Sequence, residues 1–193
     1  MARTKEFDPD AVLQRAMDLF WERGYEATSM ADLVEHLGIA RASIYATFGS
    51  KHDLYLAAMR RYLRGSEAGF VTALAQPGPA LPAVRAFVAS WVTEAMTDPA
   101  RRGCLVVNAA VELSPRDPEV ARQVEVGWSV VETALVSSLL RAQAQGELPA
   151  EKDPHEIARF LLVVMQGVRV IARAAPDAGR LRAAAKLALA ALD

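Results

Sequence analysis

The sequence predicts an all-α protein of about nine helices, an N-terminal three-helix bundle followed by a larger helical body. Three observations predict it. Only 7% of the 193 residues are aromatic, and alanine, leucine, arginine and glutamate dominate, a mixture that favours helix over strand. No stretch alternates apolar and polar residues between hairpin turns. Pro9 is the only proline before Pro77, and the rest fall in small clusters that separate stretches of helical periodicity.

The first helix starts at Asp8 as N-cap, with Pro9 in the first helical position, where a missing N–H costs nothing. Val12, Leu13, Ala16, Leu19 and Phe20 keep the spacing of one helical face, and Gly24 ends the helix. The second runs from Thr28 or Ser29 to Gly38 and buries Leu33, Val34 and Leu37. The third, near 41–48, is short because Gly38 and Ser50 leave it little room. Ser50 and Asp53 have the spacing of a capping box, with Asp in place of Glu, and open a long fourth helix. The Pro77-Gly78-Pro79 loop precedes a fifth helix, 81–96, which Asp98-Pro99 breaks. A short sixth helix covers 104–113, and Asp117-Pro118 starts a long seventh one to about 145. Asp153-Pro154 repeats that signal for an eighth helix to about 174, and Asp177 caps the last, which runs almost to residue 193. Residues 1–49 are thus expected to form one domain and 50–193 a second, with helix 50–73 as the link.

Composition bounds the function. With 52% hydrophobic and 23% charged residues the chain has a globular balance. A net charge of −1 excludes a protein that coats nucleic acid by bulk charge. The single cysteine, Cys104, excludes an intramolecular disulfide framework and a multi-cysteine zinc site. His36, His52 and His155 lie on separate elements without metal-ligand spacing, and no glycine-rich phosphate loop is present. Carboxylate pairs such as Glu147 with Glu151 have the character of solvated helix ends. No enzyme activity, metal or cofactor is therefore expected. The first residues are charged and short of apolar side chains, unlike a signal peptide. The apolar run 160–165 stops at Gln166 between Arg159 and Arg169, too short to cross a bilayer, so a cytoplasmic protein is expected.

Residues 29–48 carry the functional signal. Two short helices joined by Gly38-Ile39-Ala40 have the layout of a helix-turn-helix, whose second helix enters the major groove of DNA. Ile44 and Phe48, four residues apart, hold that helix on the core and leave Arg41, Ala42, Ser43, Tyr45 and Thr47 on other faces. Arg41 suits a guanine edge, Ser43 a base or phosphate, and the Ala42 methyl a thymine methyl. Tyr45, Thr47 and Lys51 suit phosphate oxygens. Charge is sorted locally. Residues 1–64 hold nine basic and nine acidic side chains, yet none is acidic between Glu35 and Asp53, and Arg3 and Lys5 add charge on an N-terminal arm. A plain three-helix bundle with a solvated Arg41 and Lys51 is the competing structural explanation.

Gly24-Tyr25, Thr28-Ser29, Ala31-Asp32-Leu33, Leu37-Gly38-Ile39-Ala40, Ile44-Tyr45-x-x-Phe48 and Lys51-x-x-Leu54 resemble the N-terminal signature of the TetR (tetracycline repressor) family of bacterial regulators. The resemblance covers about residues 8–56 at family spacing. It implies an all-α homodimeric repressor that binds a palindromic double-stranded DNA operator and carries a small-molecule inducer pocket in its C-terminal domain. It also implies DNA contacts at Thr28, Arg41, Ala42, Ser43, Tyr45, Thr47 and Lys51. One position departs from the pattern: Ala40 stands where the family commonly has Ser or Thr, which removes a side-chain N-cap worth about 1 kcal/mol. Residues 102–118 resemble AcrR-like members more weakly and identify no ligand.

In the body, the expected pocket is an apolar cavity between helices with a few polar groups. Its candidate walls are Tyr62, Phe87, Trp91, Met96, Trp128, Phe160 and Met165, with Asn108, Glu112, Gln166 and Arg169 as polar candidates. Each aromatic also has an ordinary packing explanation. Cys104 reads first as a small buried apolar residue, and beside Arg101 and Arg102 it is also a candidate thiol sensor of oxidants or electrophiles. Dimerisation is expected through the last two helices, at Phe160, Val164, Gly167, Leu181, Leu187, Ala188 and Leu192, in a four-helix isologous interface. A helical adaptor without DNA binding is the alternative of a different class, and it gives no reason for Tyr45, Lys51 and an acid-free segment to occur together.

Overall fold

The computed structural model describes residues 7–175 and 177–193. Among these the chain forms nine helices and no strand: α1 (Pro9–Arg23), α2 (Met30–Leu37), α3 (Arg41–Phe48), α4 (Lys51–Leu74), α5 (Ala80–Thr97), α6 (Leu105–Glu112), α7 (Pro118–Ala144), α8 (Pro154–Ala174) and α9 (Ala178–Ala190). The all-α architecture is the one predicted, with boundaries shifted by a few residues at most.

One device starts three of these helices. An aspartate at the N-cap accepts backbone N–H groups of the first turn, and proline follows it where no N–H is needed. Asp8 takes the Asp10 N–H at 2.9 Å, Asp117 those of Glu119 and Val120 at 3.0 and 3.1 Å, and Asp153 that of His155 at 2.8 Å. The fourth Asp-Pro pair does the opposite. Asp98 ends α5 and accepts the Arg102 N–H at 2.7 Å in the following turn.

Between α2 and α3 the chain reverses at Gly38, whose φ of 66° and ψ of 26° place it in the left-handed region that glycine adopts without a Cβ clash. The eight residues of α3 are too few to stay helical alone. Ile44, fully buried, ties the helix down, and burying such a side chain contributes about 1.5–3 kcal/mol.

The helices share two cores. Phe20, Leu33, Ile44, Leu54, Tyr55 and Met59 from α1–α4 pack together with Leu105 of α6 and Val120 of α7. A second core gathers Val84 and Trp91 of α5, Leu135 of α7, Leu161 and Met165 of α8 and Leu181 of α9. Trp128 on α7 packs against both, and α4 runs from the first core at Leu54 to the second at Leu74. The N-terminal helices therefore rest directly on α6 and the start of α7.

Candidate nucleic-acid interface and ligand cavity

With Ile44 turned inward, α3 presents Arg41, Ala42 and Tyr45 to solvent and leaves Ser43 and Thr47 half-buried. Tyr45 is 44% exposed. Ala40 supplies no capping side chain, and no acid stands in the first turn of α3. The Ser43 N–H bonds the Ala40 carbonyl at 2.9 Å, which leaves the Arg41 and Ala42 N–H groups and the positive end of the helix dipole without a side-chain cap, an arrangement suited to anions. Lys51, at the start of α4, is held in place: its Nζ lies 4.1 Å from the Tyr25 ring centroid. The capping box at Ser50 and Asp53 forms as predicted, and the Ser50 hydroxyl bond holds the Asp53 carboxyl below the usual carboxylate range.

Thr28 departs from its expected role as an exposed contact. Its side chain is fully buried and its hydroxyl donates to the Gly24 carbonyl at 2.6 Å. The last carbonyls of α1 need donors, and Thr28 supplies one, so its hydroxyl shapes the turn instead of facing a ligand. Arg3 and Lys5 lie outside the described residues.

A cavity of about 320 Å³ lies between α4, α5, α6, α7 and α8. Of the residues expected there, Tyr62, Phe87, Trp91, Cys104, Trp128, Gln166 and Arg169 line it. Phe70 completes an aromatic cluster, its ring centroid 5.8 Å from that of Phe87 and 5.3 Å from that of Trp91. Arg169 stacks on Trp91 at 4.4 Å and pairs with Glu94 at 2.8 Å, so the polar end of the cavity is a compensated ion pair. Burial pushes the Tyr62 phenol well above its usual pKa, and its hydroxyl lies 3.6 Å from Cys104 Sγ as donor. The space exists because α4 carries Gly65, Ser66, Gly69 and Ala73 along this wall. These small residues were missed by sequence reasoning, although their fourfold spacing places Gly65, Gly69 and Ala73 on one helical face.

Five expected ligand contacts lie elsewhere, Phe160 among them on the exposed side of α8. Met96 is 39% exposed near the end of α5, outside the cavity. Met165 packs in the core, and its carbonyl accepts the Trp91 indole N–H at 2.9 Å. Asn108 turns back to donate to the Arg102 carbonyl at 2.9 Å. Glu112 reaches the N-terminal helices, accepting the N–H groups of Tyr25 and Glu26 at 3.1 and 2.8 Å. Arg102, expected to activate Cys104, is engaged with Asp98 and stacks on Trp21 at 4.1 Å.

The far side of the body has an apolar face. Phe160 and Gly167 of α8 are exposed as expected, and Val164 is half-buried. Leu181, Ala188 and Leu192 are buried at 2%, 1% and 1% exposure, because α9 turns that stripe onto its own body. The exposed large apolar residues of these two helices are Phe160, Val163 and Val170 of α8 and, as expected, Leu187 of α9, with Val163 at 70% and Leu187 at 73%. Phe160, Val163, Gly167 and Val170 fall at alternating spacings of three and four, one seam along α8. No helix among the described residues is long and apolar enough to cross a membrane.

Comparison with known proteins agrees with this geometry. Residues 12–58 match the family of bacterial regulatory proteins called the tetR family, and residues 80–188 match the tetracyclin repressor-like C-terminal domain. The chain is 42% identical to the uncharacterised HTH-type transcriptional regulator YezE of Bacillus subtilis, over the full length of both. It is 37% identical to the HTH-type transcriptional repressor ComR of Escherichia coli, over 89% of this chain and 82% of that one. A solved structure of a cysteine-substituted form of the TetR family transcriptional regulator CifR, complexed with a 26-base-pair operator DNA, superimposes with a TM-score of 0.87 at 34% identity and full coverage of both chains. From its helix-turn-helix, its helical body and these similarities, the chain belongs to the TetR family of bacterial transcriptional regulators.

Proposed function

We propose that the chain acts in the cytoplasm as a homodimeric transcriptional repressor, with residues 1–49 reading the operator and 50–193 binding inducer and partner. The observation that carries this reading is the α3 surface: an exposed Arg41, Ala42 and Tyr45 beside open helix N–H groups, with no acid in the first turn. Arg41 reads a guanine edge, and Ser43, Tyr45, Thr47 and Lys51 meet phosphates or neighbouring bases. The DNA-bound form of CifR and the repressor name of ComR support the same assignment. The inducer is a small hydrophobic molecule that fits the 320 Å³ cavity, and it releases DNA by favouring a body conformation that sets the two α3 helices at the wrong separation. A mobility shift against DNA upstream of the protein's own coding region tests the reading. A specific shift, reversed by a compound that raises the protein's thermal midpoint, is expected; no specific shift with any genomic fragment contradicts it.

A second route to release has one observation in its favour: Cys104 lines the cavity with the Tyr62 hydroxyl as its partner. An alkylating electrophile in the cavity forms a bond to Sγ as its leaving group departs, and the thiol proton goes to solvent. Cys104→Ser then represses normally and no longer responds to the alkylating agent. An unchanged response rules this route out.

A further inference from the structure

Glu112 is the last residue of α6, where a carboxylate meets the negative end of the helix dipole and is disfavoured. Its two oxygens nevertheless have specific partners in another part of the chain. Oε2 accepts the Tyr25 N–H at 3.1 Å and Oε1 the Glu26 N–H at 2.8 Å. Both donors lie in the turn between α1 and α2, and charge-assisted bonds to a carboxylate are stronger than neutral ones. The turn is shaped to admit the carboxylate. Gly24 sits at φ 89°, and a Cβ there would lie 3.0–3.3 Å from the Glu112 carboxyl atoms.

The residue so held leads straight to the DNA face. The Tyr25 ring carries Lys51 Nζ 4.1 Å above it and packs against Tyr55, with centroids 5.0 Å apart. At its other end, α6 begins beside Cys104 and Val106 in the cavity wall. Eight residues of helix, about 12 Å, separate the two ends.

We propose that Glu112 is a positioning residue for DNA binding: its carboxylate fixes the α1–α2 turn, and Tyr25 thereby holds Lys51 ready for a phosphate. The inference rests on Lys51 meeting a phosphate, as proposed above.

The test is a double-mutant cycle on a duplex that the wild-type protein has selected from a random-sequence pool, titrated at several salt concentrations. Glu112→Gln weakens binding about five- to tenfold in the wild-type background and has no effect when Lys51 is replaced by Ala. Circular dichroism and thermal melts check that each variant is folded. Tyr25→Leu keeps the N–H that Glu112 holds but removes the ring under Lys51. It gives the same Lys51-dependent loss, and it carries the test should Glu112→Gln fail to fold. No loss in either variant, or an equal loss in both backgrounds, overturns the inference while leaving Lys51 as a contact. Wild-type affinity and salt dependence in Lys51→Ala overturn the Lys51 contact and the inference with it.

Discussion

Arg41 and Lys51 stand on neighbouring helices and are assigned different work. Arg41 is exposed at the open end of α3, where a guanidinium can reach two acceptors on one base. Lys51 rests on Tyr25 and offers a point charge, which suits a phosphate. Arg41→Ala therefore relaxes base preference, costing about 1–3 kcal/mol at one operator position and little at the others, as measured by titrating single-base variants. Unchanged discrimination would place the reading face elsewhere. These residues were legible because their roles follow from local spacing: Gly38 marks the turn, Ile44 the inward side, and Ala40 the missing cap. Thr28 was not. A hydroxyl in a turn looks the same in sequence whether it faces DNA or, as here, satisfies the Gly24 carbonyl.

At the level of helices, helix starts are local chemistry, and the Asp-Pro and Ser-x-x-Asp signals placed them well. A cavity is a different kind of object. It is a space left by small residues, and Gly65 and Gly69 show their purpose only when four other helices surround them. A Cβ at Gly69 would meet nothing within 4 Å. Gly69→Leu should therefore fill cavity space, keep operator affinity within about twofold, and abolish the thermal shift given by compounds that stabilise wild type. A retained shift would move the binding site out of this cavity.

The start of α7 carries a pH signature. Burial works to raise the Asp117 carboxyl, but the Val120 N–H, the His52 ring at 2.6 Å and the Glu119 N–H outweigh it, and its pKa falls below the usual 3.8. Stability from these contacts is fully present above that value and is lost as the pH falls through the lower folded pKa. Thermal midpoints should thus drop as the pH is taken below about 4, and less steeply in Asp117→Asn. An identical slope in the variant would show that Asp117 contributes nothing to the acid limb.

For the whole molecule, the balance of 22 basic and 23 acidic residues fits a reader of particular sites, since non-specific affinity follows the number of phosphates neutralised. Helical periodicity gives α8 an apolar run around most of its surface and α9 an apolar stripe, but does not say which residues turn inward. The body takes Leu181, Ala188 and Leu192, and the seam through Phe160 and Val163 stays exposed, the face on which the proposed dimer would form. At a two-fold interface each substitution acts twice. Val163→Asp is expected to halve the mass seen by light scattering and to weaken operator binding, whereas an intact dimer would remove α8 from the interface. The assignment as a dimeric operator-binding regulator meets its most direct test in the site that the wild-type protein selects from a random-sequence pool. An inverted repeat is predicted, with half-sites about 34–36 Å apart or a multiple of that, and protection centred on both halves. An asymmetric site with a single protected half, or no enriched sequence at all, would contradict it.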